Sequence, residues 1–219
     1  MPEQQPPRTI LAVDDHELVR MGLRQVIVQR FADRFEVAEA AGLEQALQFL
    51  QQRAADVLLL LLDLNLGDTR GLTGLQLLRQ LYPRLPVVVV SGTNDPRVRE
   101  EALAQGAMGY FCKTGDTADL SGLLDTVEKA ATPTPARAPG AAPPPASPHD
   151  TLARSTRLRP GIRLTSRQIQ VLELILGGLD NQSIARETGL ALGSVKNCVS
   201  TIFLDFNVRS RAELIRLFS

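Results

Sequence analysis

Residues 56–64 read DVLLLLLDL, an unbroken apolar run from Val57 to Leu62 that ends in Asp63. A run with no polar alternation fits a strand covered on both faces, as in a parallel sheet layered between helices. It is far too short to span a bilayer, and no apolar run of membrane length exists elsewhere in the 219 residues. The flanking sequence repeats one pattern. Thr9–Asp15 (TILAVDD), Phe35–Ala41, Leu85–Ser91 (LPVVVVS) and Gly109–Lys113 read as further short strands. His16–Arg30, Leu43–Gln52, Leu72–Leu81, Pro96–Gln105 and Ala118–Ala130 read as the helices that follow each strand. Five strand–helix units imply an α/β domain, a doubly wound parallel sheet with helices on both faces.

The segment 131–150, ATPTPARAPGAAPPPASPHD, contains seven prolines and no large aliphatic or aromatic residue. It cannot bury a core, and proline stiffens it toward an extended conformation. Together with the polar stretch 151–161 it is expected to link two domains, one over 1–130 and one over 162–219. The formal net charge of the whole chain is zero, yet residues 1–130 carry −5 and residues 151–219 carry +5. Two partners of different chemistry are implied, with the basic rear half the candidate for a polyanion. Cys112 and Cys198 have no ligand-like spacing, so neither a disulfide framework nor a zinc site is expected. The polar, Pro-rich start shows no signal peptide, and a cytoplasmic protein is the expectation.

In an open parallel sheet, ligands gather outside the carboxyl ends of the strands. Those ends here carry Asp14 and Asp15, Asp63, Ser91 and Lys113. Clustered carboxylates call for a hard cation, and Mg²⁺ takes oxygen ligands and keeps room for phosphate. A carboxylate can also act as a nucleophile toward phosphorus. Asp63 is the expected acceptor, with Lys113, Ser91 and Mg²⁺ available to neutralise the equatorial phosphoryl oxygens.

At this point the sequence resembles the bacterial two-component response regulators of the NarL/LuxR type. AVDDHELVRMGL and GAMGYFCK are close to the opening and closing motifs of the CheY-like receiver domain. The resemblance implies a flavodoxin-like strand order, 2-1-3-4-5. It also implies that Asp14, Asp15, Asp63 and the Asn65 carbonyl hold Mg²⁺, that Asp63 is phosphorylated, that Ser91 and Tyr110 are the switch residues and that Lys113 binds the phosphate. One stretch departs from the family pattern. DLNLGDTRGLTGLQLL has Gly67 where proline is usual and about three extra residues, so Gly71 and Gly74 compete for the family glycine. His16 reads as a solvent-facing residue at a helix start, and Cys112 as a core thiol.

The rear domain reads as all-helical. Thr165 with Gln168 and Ser210 with Glu213 form capping boxes, Asp180 precedes a short helix and Gly189 breaks it. Val195, Val199, Ile202, Phe203 and Phe206 form one apolar stripe, leaving Lys196, Asn197, Ser200 and Thr201 on the opposite face. LTSRQIQVLELILGGLDNQSIARETGLALGSVKNCVSTIFLDFNVRSRAELI resembles the LuxR-type helix-turn-helix. The resemblance makes Glu187–Leu192 the turn, Ser194–Phe206 the recognition helix, and Lys196, Asn197 and Ser200 contacts to double-stranded DNA. Thr201 lies on the same face, and the helix start near Asn181 and Gln182 can bind phosphate. Gln182, Cys198 and Asp205 stand where the family often has Lys, His and Lys, and Cys198 reads as a small buried substitute.

The expectation is therefore a DNA-binding response regulator, phosphorylated on Asp63 by a sensor histidine kinase and acting as a homodimer when phosphorylated, without membrane contact. Self-dephosphorylation is its only expected catalysis. Two other readings stand beside it. An output domain that acts through protein contacts is kept open by the three departures. An aspartyl-phosphate phosphatase is disfavoured by Asn65, where such an enzyme has a second Asp.

Overall fold

In the computed structural model, which describes residues 8–31, 34–115, 117–131 and 162–218, the apolar run at 57–62 lies in the central strand. This strand, β3 (Val57–Asp63), is buried at every position. It lies between β1 (Arg8–Val13) and β4 (Val87–Ser91); β2 (Phe35–Ala40) and β5 (Gly109–Cys112) form the edges. All pairings are parallel and the order is 2-1-3-4-5. The connecting helices are α1 (Glu17–Phe31), α2 (Leu43–Arg53), α3 (Thr73–Leu81), α4 (Pro96–Ala104) and α5 (Thr117–Ala131).

Side chains alternate across the sheet, and the core divides accordingly. Leu59 and Leu61 join Ile10, Ala12, Val88 and Val90 on the face covered by Leu23 and Ile27 of α1 and Leu120 and Leu124 of α5. Leu60 and Leu62 join Leu11, Val13, Val87 and Val89 on the other face, under Leu43 and Leu47 of α2 and Leu75 and Leu78 of α3. Leu61 has no exposed surface. Leu61→Ala is expected to cost about 2–5 kcal/mol, the loss of buried methyl groups plus the cavity left between rigid layers. Urea unfolding of the full chain, followed by circular dichroism, checks it; a loss under about 1 kcal/mol would mean that the layers close over the gap.

The second unit consists of α6 (Ser166–Leu176), α7 (Asn181–Thr188), α8 (Leu192–Asp205) and α9 (Arg211–Phe218). Ile169, Leu172 and Ile175 pack with Ile184, Val195, Ile202, Phe206 and Leu214. Phe206 and Phe218 meet edge to face at 5.3 Å. The Thr165–Gln168 capping box is complete, and Asp180 caps α7 through Ser183 N–H. The second box forms only in half. Glu213 N–H donates to Ser210 Oγ, but the Glu213 carboxylate accepts from Arg209 N–H at 2.6 Å, one residue further out than a box requires. The turn is also shorter than Glu187–Leu192. Helix α7 runs to Thr188, Gly189 ends it with φ 67°, and α8 starts at Leu192 after Ala191, whose side chain makes no cap.

The two units dock. Their buried apolar residues form one continuous cluster, from the α2–α3 face of the sheet into the helical unit. Of the segment expected to join them, 131–161, Ala131 ends α5 and residues 132–161 lie outside the described residues. No described helix is long and apolar enough to cross a membrane.

Candidate functional site

The sheet brings four distant stretches of sequence to one edge. Asp63 is the last residue of β3 and Ser91 the last of β4. Asp14 and Asp15 follow β1, and Lys113 follows β5. Parallel pairing in register therefore carries the β1, β3 and β5 ends to neighbouring places. Lys113 Nζ lies 2.7 Å from Asp14 Oδ2 and 2.8 Å from Asp63 Oδ2, so one ammonium bridges two carboxylates. Both acids are 1% exposed. Burial pushes the Asp63 carboxyl above its ordinary range, and Asp14 adds to the rise, while Lys113 and the Asn65 backbone N–H oppose it. Burial pulls the Lys113 ammonium down, but the two carboxylates more than reverse this.

Asp14, Asp15, His16 and Asp63 each bring a possible ligand atom within 4.8 Å of the others. Asp63 Oδ1 is buried with no hydrogen-bond partner among the described residues. The three carboxylates of this group, one with an orphaned buried oxygen, fit a hard divalent cation. His16 is exposed, as expected, but its Nδ1 lies 2.7 Å from Asp15 Oδ1 and its backbone N–H donates to Asp14 Oδ1. The residue thus orients the acid pair from outside.

Ser91 and Tyr110 are both buried, and among the described residues neither hydrogen-bonds Asp63. They meet at Thr93 instead. Tyr110 donates its hydroxyl hydrogen to Thr93 O at 2.7 Å, and Thr93 N–H donates to Ser91 Oγ at 3.3 Å. Thr93 is a site neighbour that no motif in the sequence marked. Arg20 is another: its Nη1 donates to the Asp14 backbone carbonyl at 2.7 Å and fixes the turn after β1. Its position six residues after Asp14, one turn into α1, was the available signal. Cys112 is half-buried rather than in the core, because it ends an edge strand; its Sγ lies 3.1 Å from Thr114 Oγ1.

After β3 the chain makes a compact loop. Leu66 N–H donates to Thr69 O, Asn65 pairs with Arg70, and Gly71 turns with φ 60°, a conformation L side chains rarely adopt. Gly74 serves differently, since a Cβ there would come within 3.2 Å of the Thr69 methyl. Each of the two competing glycines therefore has its own physical reason.

On the helical unit, Lys196, Asn197, Ser200 and Thr201 are all exposed on α8. Thr201 Oγ1 donates back to Asn197 O, leaving its oxygen lone pairs outward. Gln182 is exposed at the start of α7, whereas Asn181 is partly covered and its Oδ1 accepts from Arg211 Nη2 at 3.3 Å. Arg211 also donates to the Leu179 carbonyl, and burial lowers its pKa. Cys198 is half-buried against the apolar cluster, not fully enclosed.

Comparison with known proteins places both units. Residues 10–125 match the response regulator receiver domain, and residues 163–218 match the bacterial regulatory proteins of the luxR family. The chain is 34% identical to the glycerol metabolism activator of Pseudomonas putida over 94% of its length and 92% of that protein's. It is 33% identical to the nitrate/nitrite response regulator NarL of Escherichia coli strain K12, over 95% and 94%. Among solved structures, the RcsB response regulator of Salmonella typhimurium superposes with a TM-score of 0.53 at 20% identity, covering 98% of each chain. A receiver sheet with its acidic edge, followed by a luxR-family helix-turn-helix, makes this chain a member of the DNA-binding response regulators of two-component signalling systems.

Proposed function

We propose that Asp63 is the phospho-acceptor and that its phosphorylation raises the affinity of the helical unit for double-stranded DNA. The observation that carries this reading is the Lys113 ammonium held between Asp14 and Asp63 at the carboxyl edge of the sheet. In the step, an Asp63 carboxylate oxygen forms a bond to the phosphorus of the kinase's phosphohistidine. The phosphorus–nitrogen bond breaks, and the imidazole leaves with the electron pair. Burial removes competing water, and Lys113 is already in place to meet the incoming negative charge without reorganisation. Asp14, Asp15, Asp63 and the Asn65 carbonyl would hold Mg²⁺, which when bound neutralises charge on the phosphoryl oxygens. Ser91 and Tyr110 respond through Thr93, which both already contact.

The receiver is assigned to 1–130, the linker to 131–161 and the output domain to 162–219. The output residues proposed to meet DNA are Lys196, Asn197, Ser200 and Thr201, with Asn181 and Gln182 toward phosphate. Phosphorylated receivers pair, and two output domains on one two-fold site gain effective concentration. The chain is a regulator rather than a phosphatase, since Asn65 has no proton to exchange as an acid or base. The kinase that serves it is a sensor histidine kinase.

The test is fluorescence anisotropy of the full chain on pooled promoter fragments, with and without Mg²⁺ and beryllofluoride, which mimics the phosphoryl group. Salt-sensitive binding that tightens with the mimic is the expected result. Binding indifferent to the mimic would leave a DNA binder without the phospho-switch. No binding at low salt, with the receiver occupied, would turn the output domain to protein contacts.

A further inference from the structure

His16 follows the acid pair directly, and phosphoryl transfer to Asp63 makes no use of its ring. The ring is at the site nonetheless. Its Nδ1 lies 2.7 Å from Asp15 Oδ1 and 3.3 Å from Asp14 Oδ1. Four side chains, those of Asp14, Asp15, His16 and Asp63, each offer one ligand atom, and these atoms all lie within 4.8 Å of one another. Among the described residues no other group of three or more His, Cys, Asp or Glu side chains meets this closely.

The spacing suits a coordination shell. Around an ion with bonds of about 2.1 Å, octahedral ligands stand about 3.0 Å apart along an edge and about 4.2 Å apart across the ion. The two Nδ1 distances bracket that edge. Asp63 supplies a second, independent sign of a missing partner. Lys113 satisfies its Oδ2 at 2.8 Å, while Oδ1 has no hydrogen-bond partner among the described residues in a side chain that is 1% exposed. Charge points the same way. Three carboxylates against the one Lys113 ammonium leave two negative charges, which one divalent ion cancels. A neutral imidazole adds a donor to that set without adding charge.

The backbone holds His16 in place for this. Its N–H donates to Asp14 Oδ1 at 2.9 Å, and its carbonyl accepts from Val19 and Arg20 N–H at the start of α1. Only the ring has to turn, and 68% of the side chain is exposed. When Nδ1 is a ligand the ring proton sits on Nε2. Oxygen ligands alone discriminate poorly between Mg²⁺ and other divalent ions of similar size, but a nitrogen ligand does so. Mg²⁺ keeps to oxygen, whereas Mn²⁺, Co²⁺, Ni²⁺ and Zn²⁺ accept imidazole readily.

We infer that His16 is a fourth side-chain ligand at the acidic edge, and that through its Nδ1 the site selects a first-row transition ion over Mg²⁺. This rests on the reading of that edge as the metal site.

The experiment uses the full chain without a histidine tag. Electron spin-echo envelope modulation with substoichiometric Mn²⁺ reads directly bound nitrogen in the wild-type protein, so the first result depends on no variant folding. Calorimetric titrations with Co²⁺ and with Mg²⁺ give the two affinities. Nitrogen modulation is expected in the wild type and in His149→Ala, which removes the chain's other histidine. It is expected to vanish in His16→Gln, and the preference for Co²⁺ over Mg²⁺ should fall about tenfold or more, the loss seen even for outer partners of metal ligands. Glutamine keeps a donor for the Asp15 carboxylate, so a ring that only positions the acids would be replaced by it. If the Co²⁺-to-Mg²⁺ preference holds in His16→Gln, whether both affinities hold or both fall, His16 is a positioning residue and the selection fails. Modulation absent from the wild type, or lost in His149→Ala, would overturn it as well. A wild-type chain that binds neither ion, or that binds both unchanged after Asp15→Asn/Asp63→Asn, would sink the metal-site reading itself, and the role of His16 with it.

Discussion

Asp63→Asn is expected to take up no phosphoryl group from a histidine kinase or a small phosphodonor, and to unfold at a higher temperature than the wild-type chain in metal-free buffer. The first effect follows from the chemistry, because an amide is not a nucleophile toward phosphorus. The second follows from the surroundings. Asp63 is 1% exposed and faces a second buried carboxylate, Asp14, across a single ammonium. Burial raises its pKa despite Lys113. An acid whose pKa is raised on folding destabilises the fold while it is ionised, because the ionised form is better accommodated in the unfolded chain. A neutral isostere relieves that cost and leaves Lys113 paired with Asp14. The gain should be roughly 1 kcal/mol, the usual size when a functional strain is removed. Calorimetry in the presence of a chelator reads it. Saturating Mg²⁺ should reverse the order, since the wild-type site then gains binding free energy that the variant lacks, about 2.7 kcal/mol at a hundredfold excess over the dissociation constant. A variant less stable than wild type without metal would mean that the Lys113–Asp63 pair outweighs burial and repulsion.

What could be read in advance follows from the range of the interactions. The run at Val57–Leu62 is apolar because a parallel strand is buried on both faces, and that is a local property. The acids at 14, 15 and 63 and the lysine at 113 were legible because each stands where its strand runs out, and parallel pairing brings such ends together. Asp68 shows the opposite case. Nothing near it announces a cap for α2, since the donors at Leu43 and Glu44 lie far back in the chain. Glu44 accepts from Ser166 N–H across 122 residues. In the sequence each is an ordinary surface residue at a helix start. Helix ends slipped as well. The resemblance set the start of the recognition helix at Ser194; α8 begins at Leu192, two residues earlier, with Val195, Val199 and Ile202 buried along it and no side chain capping its start. The half-formed Ser210 box has its own origin, because Arg209 N–H competes for the Glu213 carboxylate.

Lys196→Ala should weaken DNA binding across all sequences and flatten its salt dependence by about one unit in the slope of log affinity against log salt. The side chain is exposed on α8, whose buried residues are Val195, Val199 and Ile202. Asn197→Ala should behave differently. A carboxamide that reads a base edge is worth about 1–3 kcal/mol of discrimination, so its loss should relax sequence preference while the salt slope stays nearly constant. Gln182 offers a test in the direction of gain. It is exposed at the start of α7, where backbone N–H groups already favour phosphate. Gln182→Lys should add a phosphate contact, steepening the slope by about 0.9 and raising affinity at low salt without changing sequence preference. Anisotropy titrations at several salt concentrations separate these outcomes, because slope reports phosphate contacts and the ratio between fragments reports base reading. If Lys196→Ala leaves the slope unchanged while Gln182→Lys steepens it, α7 rather than α8 lies along the backbone, and the assignment of the recognition helix fails. If neither changes it, the exposed face of α8 serves another partner.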